Sequence, residues 1–304
     1  MAVKALVISG GGSKGAFAGG LAEYLIKVCK NDYQIFIGSS TGSLLVPLLS
    51  IGEIDKLKKV FTSVTQDQIF NIDPFIINKK DGFFKTSINH FGVLKMFLKK
   101  RMTFGESKNL RDLIKKTISA EDYKRILSAD RDVIVTVSNL SKMTVEYKLA
   151  KDCSYEDYCD WIWASTSLVP FMSLVSKNGD DYADGGMGDL IPIYEAIQRG
   201  ATDIDVIVLK SDRSLQQTPA IHNALDLTYR IFGFMLNQIG LDDLTIGKLE
   251  GLNKKVKLNF YHPLDALTSN SLIFDPEQMK HWWDLGFKCG QDNSLNPKVV
   301  KINH

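Results

Sequence analysis

The sequence predicts an α/β protein built on a mostly parallel sheet. Two short apolar runs each end in glycines and are followed by an apolar stretch at helical spacing: Val3–Ser9 before Gly10–Gly15, and Ile35–Ile37 before Gly38-Ser39-Ser40-Thr41-Gly42. A third run, Ile204–Leu209, is apolar apart from Asp205. Continuous rather than alternating apolar runs fit strands covered on both faces, and strand–turn–helix repeats place such strands in parallel.

The remaining elements follow the same logic. Ala16–Cys29 carries Phe17, Leu21, Tyr24, Leu25 and Val28 at helical spacing. The stretch Glu53–Asp130 reads as mostly helical. Asp132–Ser138 and Thr144–Leu149 read as strands joined by a short polar turn, Tyr155–Ser165 as a helix, and Val256–Tyr261 as an alternating edge strand. Pro219–Leu244 reads as a long helix, with Thr218 placed to cap it and Pro219 suited to its first position. Pro276–Phe287 reads as the last helix. No linker or repeat divides the chain, so one domain over residues 1–304 is expected, with a motif-bearing core at about 3–210 and an extension at about 211–304.

Composition narrows the function classes. With 304 residues, 44% hydrophobic and 24% charged, the chain is long and apolar enough for a large core. A formal charge of +2 argues against nucleic-acid binding. Cys29, Cys153, Cys159 and Cys289 form no CxxC pair, which suggests reduced thiols and no structural zinc. No apolar run approaches the ~18 residues of a membrane span, and the opening strand lacks a cleavage site. A cytoplasmic location is expected, and neither a metal nor a cofactor.

Gly38–Gly42 matches G-x-S-x-G, in which a serine sits on a sharp strand-to-helix turn flanked by glycines. Ser40 is the candidate nucleophile, with Gly38 and Gly42 relieving the crowding. Gly11–Gly15 also fits the pattern, but its glycines suit backbone donors better than a held side chain. Residues Gly10, Gly11, Gly12, Ser13, Lys14 and Gly15 can converge their N–H groups into an anion nest, and in acyl transfer that anion is the oxyanion. Nucleotide readings of the same loop fail at a required residue. The second strand ends without the Asp or Glu that holds a ribose, and Ala16-Phe17 replaces the Lys-Ser/Thr of a phosphate loop. None of the five histidines lies in a recognisable motif. The candidate base is Asp184, followed by Gly185 and Gly186 in a tight turn, where burial would raise its pKa. An ordinary Asp-Gly turn is the other reading of that segment.

The glycine loop, the Ser40 elbow and the Asp184-Gly185-Gly186 turn occur in the order that resembles the patatin-like phospholipases. Ala164–Pro170 is similar to that family's block before its aspartate, and Pro192 sits where the family has a proline. The resemblance runs from about Val3 to Arg199. It implies an α/β/α sandwich, a Ser40–Asp184 dyad without histidine, an oxyanion hole in the glycine loop with Gly11 and Gly12 foremost, and phospholipid or related lipid ester substrates. Leu190 departs from the family's usual Asn. An α/β-hydrolase esterase with a Ser-His-Asp triad using His262 or His281, and a non-catalytic lipid-binding module, are the alternatives.

Phe83–Phe104 is basic and aromatic, with no Asp or Glu. The spacing of Phe91, Leu94, Phe97 and Leu98 favours a core helix with solvated lysines. A segment resting on an anionic bilayer, making a peripheral membrane contact, is the alternative.

Overall fold

The computed structural model describes residues 2–80, 83–211, 221 and 223–295. The chain opens with β1 (Lys4–Ile8), α1 (Gly15–Glu23), β2 (Ile35–Ser39) and α2 (Thr41–Ser50), the repeat that the sequence predicts. Next come α3 (Ile54–Phe61), α4 (Gln66–Ile69), β3 (Phe75–Lys80), β4 (Phe83–Ile88), α5 (His90–Leu98), α6 (Lys108–Thr117) and α7 (Ala120–Ser128). The sheet resumes with β5 (Asp132–Asn139) and β6 (Thr144–Leu149), then α8 (Tyr155–Ser165), β7 (Val175–Lys177) and β8 (Asp180–Asp184). The last elements are α9 (Ile193–Gln198), β9 (Asp203–Ile207), α10 (Ala224–Lys254), β10 (Lys257–Tyr261) and α11 (Pro276–Leu295).

The main sheet has the order β10-β9-β1-β2-β5-β8-β7, with β6 also paired to β5. The five strands from β10 to β5 run parallel, β6 and β8 pair antiparallel with β5, and β7 pairs antiparallel with β8. Alternation along β1 divides the core. Leu6 and Ile8 face a thick layer that includes α1, α2, α8 and α11, whereas Ala5 and Val7 face a thinner layer that includes α9. The result is the expected α/β/α sandwich.

Two expectations need correction. Residues 53–130 are not mostly helical throughout, because β3 and β4 form a separate antiparallel hairpin. The apolar residues of α5 are not core: Phe91 is 87% exposed and Leu98 77%, and the helix is anchored through Gly92 and Met96 instead. Strands β7 and β8 had no counterpart in the sequence reading. The long helix begins at Ala224 and extends ten residues beyond the expected Leu244, while Thr218 and Pro219 lie outside the described residues.

Helices α1 and α11 cross closely, and glycines permit it. A Cβ on Gly20 would stand 1.8 Å from the Trp283 carbonyl oxygen, and one on Gly286 would stand 2.0 Å from that of Phe17. The Trp283 indole N–H donates to Glu23 Oε2 at 2.7 Å across the same contact. Gly20→Ala is therefore expected to destabilise by about 3 kcal/mol, the upper range for overpacking. Gly233→Ala in α10, where the same atom meets open space, should gain about 0.5–1 kcal/mol from helix propensity. Urea denaturation of the two variants checks the contrast.

Candidate active site

Two parallel-strand ends and one antiparallel strand deliver the site residues. Residues 10–15 leave the C-terminal end of β1, and Ser40 leaves that of β2, next to it in register (Ile8 opposite Gly38). Asp184 ends β8, where it lies opposite Val137 of β5. The Ser40 hydroxyl donates to Asp184 Oδ2 at 2.6 Å, and both residues are buried.

Ser40 adopts φ 51° and ψ −121°, a conformation sparsely populated by L-residues. The neighbours over-determine it. A Cβ on Gly38 would stand 2.3 Å from the Gly42 carbonyl carbon, and one on Gly42 would stand 2.2 Å from the Ile8 carbonyl oxygen. Strand and helix can close to this distance only with glycine at both positions. The Ser40 N–H donates to Ser165 Oγ at 3.1 Å, and Ser165 Oγ also contacts Ser43 Oγ. The Asp184 N–H donates to the Ser167 carbonyl at 2.9 Å. The segment 164–170 thus braces both members of the pair.

Asp184 Oδ1 accepts the Gly186 N–H at 2.8 Å, while Gly185 packs tightly against the Thr136 carbonyl. Burial raises the Asp184 carboxyl to about 7, and the bonds from Ser40 and Gly186 oppose the rise. A carboxylate of this pKa is a competent proton acceptor near neutral pH.

The glycine loop is less uniform than its sequence suggests. The N–H of Gly10 is taken by the Leu190 carbonyl, that of Ser13 by Ser271, that of Lys14 by Gly11, and that of Gly15 by Gly12 and Ser13. These four residues cannot supply N–H donors without breaking those bonds. Gly11 and Gly12 have no such acceptor among the described residues. Gly12 has φ 57°, and a Cβ there would stand 2.2 Å from the Ser271 carbonyl oxygen. Lys14 extends its Nζ to the Leu209 carbonyl at 3.0 Å, and burial lowers its pKa to about 8.

Ser40, Asp184 and the glycine loop open into a cavity of about 370 Å³. Its walls are largely apolar, with Leu44 of α2, Phe61 of α3, Ile114 of α6, Leu236 of α10, Leu272 and Met279 among them. None of the described histidines lines it. His262 Nδ1 lies 3.1 Å from the Lys210 carbonyl, and His281 is exposed on α11. Among the described residues, no three His, Cys, Asp or Glu side chains gather as a metal site.

Asp243 of α10 was not apparent from the sequence. Its Oδ2 accepts the N–H groups of Leu190 and Ile191 at 2.8 and 2.9 Å. Leu190 in turn holds Gly10 through its carbonyl. A carboxylate from another helix therefore fixes the backbone at Leu190. Burial and the neighbouring Asp189 raise Asp243 to about 7. Asp189 is itself raised to about 6 by burial and accepts the Tyr147 hydroxyl.

The family model described as patatin-like phospholipase matches residues 6–197. The uncharacterized protein YjjU of Escherichia coli (strain K12) is 24% identical over 212 residues, 67% of this chain and 51% of YjjU. The crystal structure of VipD from Legionella pneumophila superposes with a TM-score of 0.52 at 13% identity, over 96% of this chain and 66% of that one. The chain thus spans about half the length of YjjU and just under two thirds of VipD. At these identities the VipD likeness concerns the fold alone.

Two outcomes are expected from this geometry. The Asp184 carboxyl binds its proton more tightly in the folded chain than in the unfolded one, so its ionisation costs stability as pH rises from about 4 through about 7. Asp184→Asn should raise stability at pH 8 by a few kcal/mol, on the order of 1.4 per pKa unit, with the gain vanishing towards pH 4. Thermal unfolding of both proteins across that range checks it. Asp243→Ala leaves two amide N–H groups unmatched and should cost about 2 kcal/mol, read by urea denaturation.

Proposed function

This chain belongs to the patatin-like phospholipase family, and on that premise we propose that it is a serine acyl hydrolase of lipid esters working through Ser40 and Asp184. One observation carries the reading: the Ser40 hydroxyl is hydrogen-bonded to a carboxylate whose pKa burial has raised to about 7, at the floor of an apolar cavity.

In this reading the lipid's acyl chain occupies the apolar cavity and its ester carbonyl lies over Ser40. Ser40 Oγ attacks the carbonyl carbon while its proton passes to Asp184 Oδ2. The carbonyl oxygen gains the negative charge of the tetrahedral intermediate, and the N–H groups of Gly11 and Gly12 stabilise it. Collapse breaks the ester C–O bond, and the departing alcohol takes the proton back from Asp184. Water then attacks the acyl-serine ester, giving its proton to Asp184. The second collapse releases the fatty acid, and Ser40 recovers the proton. The acyl-serine formed on the first half-reaction consumes no cofactor.

The family match and the apolar cavity support a lipid rather than a small polar ester as substrate. The direct Ser40–Asp184 bond and the absence of a described histidine from the cavity support a dyad rather than a triad.

The deciding measurement is fatty-acid release from mixed phospholipid vesicles. Ser40→Ala and Asp184→Asn are expected to lose activity by ~10⁴ or more while remaining folded, with His262→Ala/His281→Ala unaffected. Loss in the histidine variant would instead favour a triad, and an inactive wild type would overturn the hydrolase reading. Because Asp184 must be ionised to accept the proton, kcat/KM should rise with pH to a plateau above about 7.

A further inference from the structure

Helix α5 is built inside out for a helix bathed in water. It is anchored by buried Gly92 and Met96, whereas Phe91, Leu94 and Leu98, spaced i, i+3 and i+7, share the opposite face and are exposed. Phe97 and Met102 are exposed beside them, at 61% and 83%. The segment is held in place at both ends. The Asn89 side chain caps α5 by accepting the Gly92 N–H at 2.9 Å and donates to the Asp73 carbonyl. After the helix, the Arg101 N–H returns to the Met96 carbonyl, and the Phe104 N–H donates to the Pro170 carbonyl. Such an apolar face on a fixed element requires a partner.

Its charge says which. Between residues 83 and 104 there are four lysines and one arginine and no carboxylate. Lys95, Lys99 and Lys100 are exposed beside the apolar residues and form no ion pair among the described residues, while Arg101 reaches Glu106 at 3.8 Å. A second copy docked through this face would set two such clusters against each other. An anionic bilayer takes both features together, with phenylalanine and leucine in the headgroup–acyl boundary and lysines among the phosphates. We propose that α5 and the turn after it, residues 90–102, form the surface by which this protein docks on anionic lipid bilayers. The inference rests on the lipid acyl-hydrolase reading, which gives such a surface its purpose.

Position agrees with that role. Phe75 at the start of the hairpin stacks on Phe171 at 5.7 Å, and Phe104 after α5 packs on the same ring. Phe171 in turn meets Tyr229 at 5.6 Å, and Tyr229 lines the cavity that holds Ser40. The docking surface is thus joined to the cavity wall through one aromatic cluster, while none of its own residues lines the cavity.

The test uses the full chain carrying Ser40→Ala, so that the lipids stay intact, sedimented with vesicles of phosphatidylcholine or of an equal mixture with phosphatidylglycerol. The Ser40→Ala protein is expected to favour the mixed vesicles and to lose that preference in high salt. Adding Lys95→Gln, Lys99→Gln and Lys100→Gln should lower partitioning onto mixed vesicles by on the order of a hundredfold, at ~1 kcal/mol per lysine. Adding Phe91→Ser and Leu98→Ser should lower it at least ~10-fold on both kinds. Circular dichroism confirms that each variant is folded, as expected for exposed positions. The proposal is overturned if the Ser40→Ala protein ignores mixed vesicles, or if both variants bind as it does. It is also overturned if Phe91→Ser and Leu98→Ser change the oligomeric state by light scattering and leave vesicle binding intact, which would assign the face to a second copy. Vesicle binding by Ser40→Ala with no fatty-acid release by the wild type would sink the hydrolase reading alone. Release of fatty acid from dispersed monomeric lipid without vesicle binding would sink the docking surface alone.

Discussion

The hydrogen bond from Ser40 to Asp184 joins residues 144 positions apart, and its properties are set by how little water reaches it. An exposed aspartate near pKa 4 would be too weak a base to hold a serine proton at neutral pH. A buried one with no donors would keep its own proton and offer nothing. Asp184 lies between these limits because burial pushes its pKa up while Ser40 and the Gly186 amide pull it down. The rest of the site maintains that balance. The parallel strands β1 and β2 bring the glycine loop and the elbow side by side, and the antiparallel β8 inserts the carboxylate against β5.

The supports around the pair come from segments remote in sequence. Ser165 and Ser167 receive the amides of Ser40 and Asp184, so the end of α8 and the turn that follows it set the distance between hydroxyl and carboxylate. Asp243 holds the backbone of Leu190, Leu190 holds Gly10, and Gly10 lies against Ser40. A raised pKa at Asp243 has the same main cause as at Asp184, burial away from water, with the charge of Asp189 adding to it. At Asp243 the carboxyl takes two backbone amides and no hydroxyl, which suits a positioning residue rather than a base.

Much of this arrangement was legible in the sequence because short-range chemistry dictates it. Apolar runs marked β1, β2 and β9, and glycines marked the turns that carry Ser40 and Asp184. Strand β8 escaped because Asp180-Asp181-Tyr182-Ala183-Asp184 has neither an apolar run nor alternation, and it is a strand only by pairing with β5 and β7. The face of α5 was misassigned because periodicity tells which residues share a face and not which way that face points. The division of labour within residues 10–15 was equally hidden. Which amides are free depends on the carbonyls of Leu190 and Ser271, which arrive from elsewhere in the chain. Asp243 gives no local signal, since its partners lie 53 and 52 residues away.

The boundary of the family match, at residue 197, divides the molecule by role. Everything proposed to take part in bond making lies before it: the glycine loop, Ser40 and Asp184. Part of the cavity wall lies after it, including Tyr229 and Leu236 of α10, Leu272 before α11, and Met279 of α11. The later segment also touches the glycine loop, because the Ser271 carbonyl takes the Ser13 amide and leaves Gly12 no room for a side chain. An apolar chamber selects weakly, by about 1–3 kcal/mol per methylene gained or lost, so under the proposed function the shape of the whole chamber would matter more than any single contact. Under the proposed function the bond-making residues all fall within the match, whereas the walls that would receive the acyl chain are shared between residues within it, such as Leu44, Phe61 and Ile114, and residues beyond it.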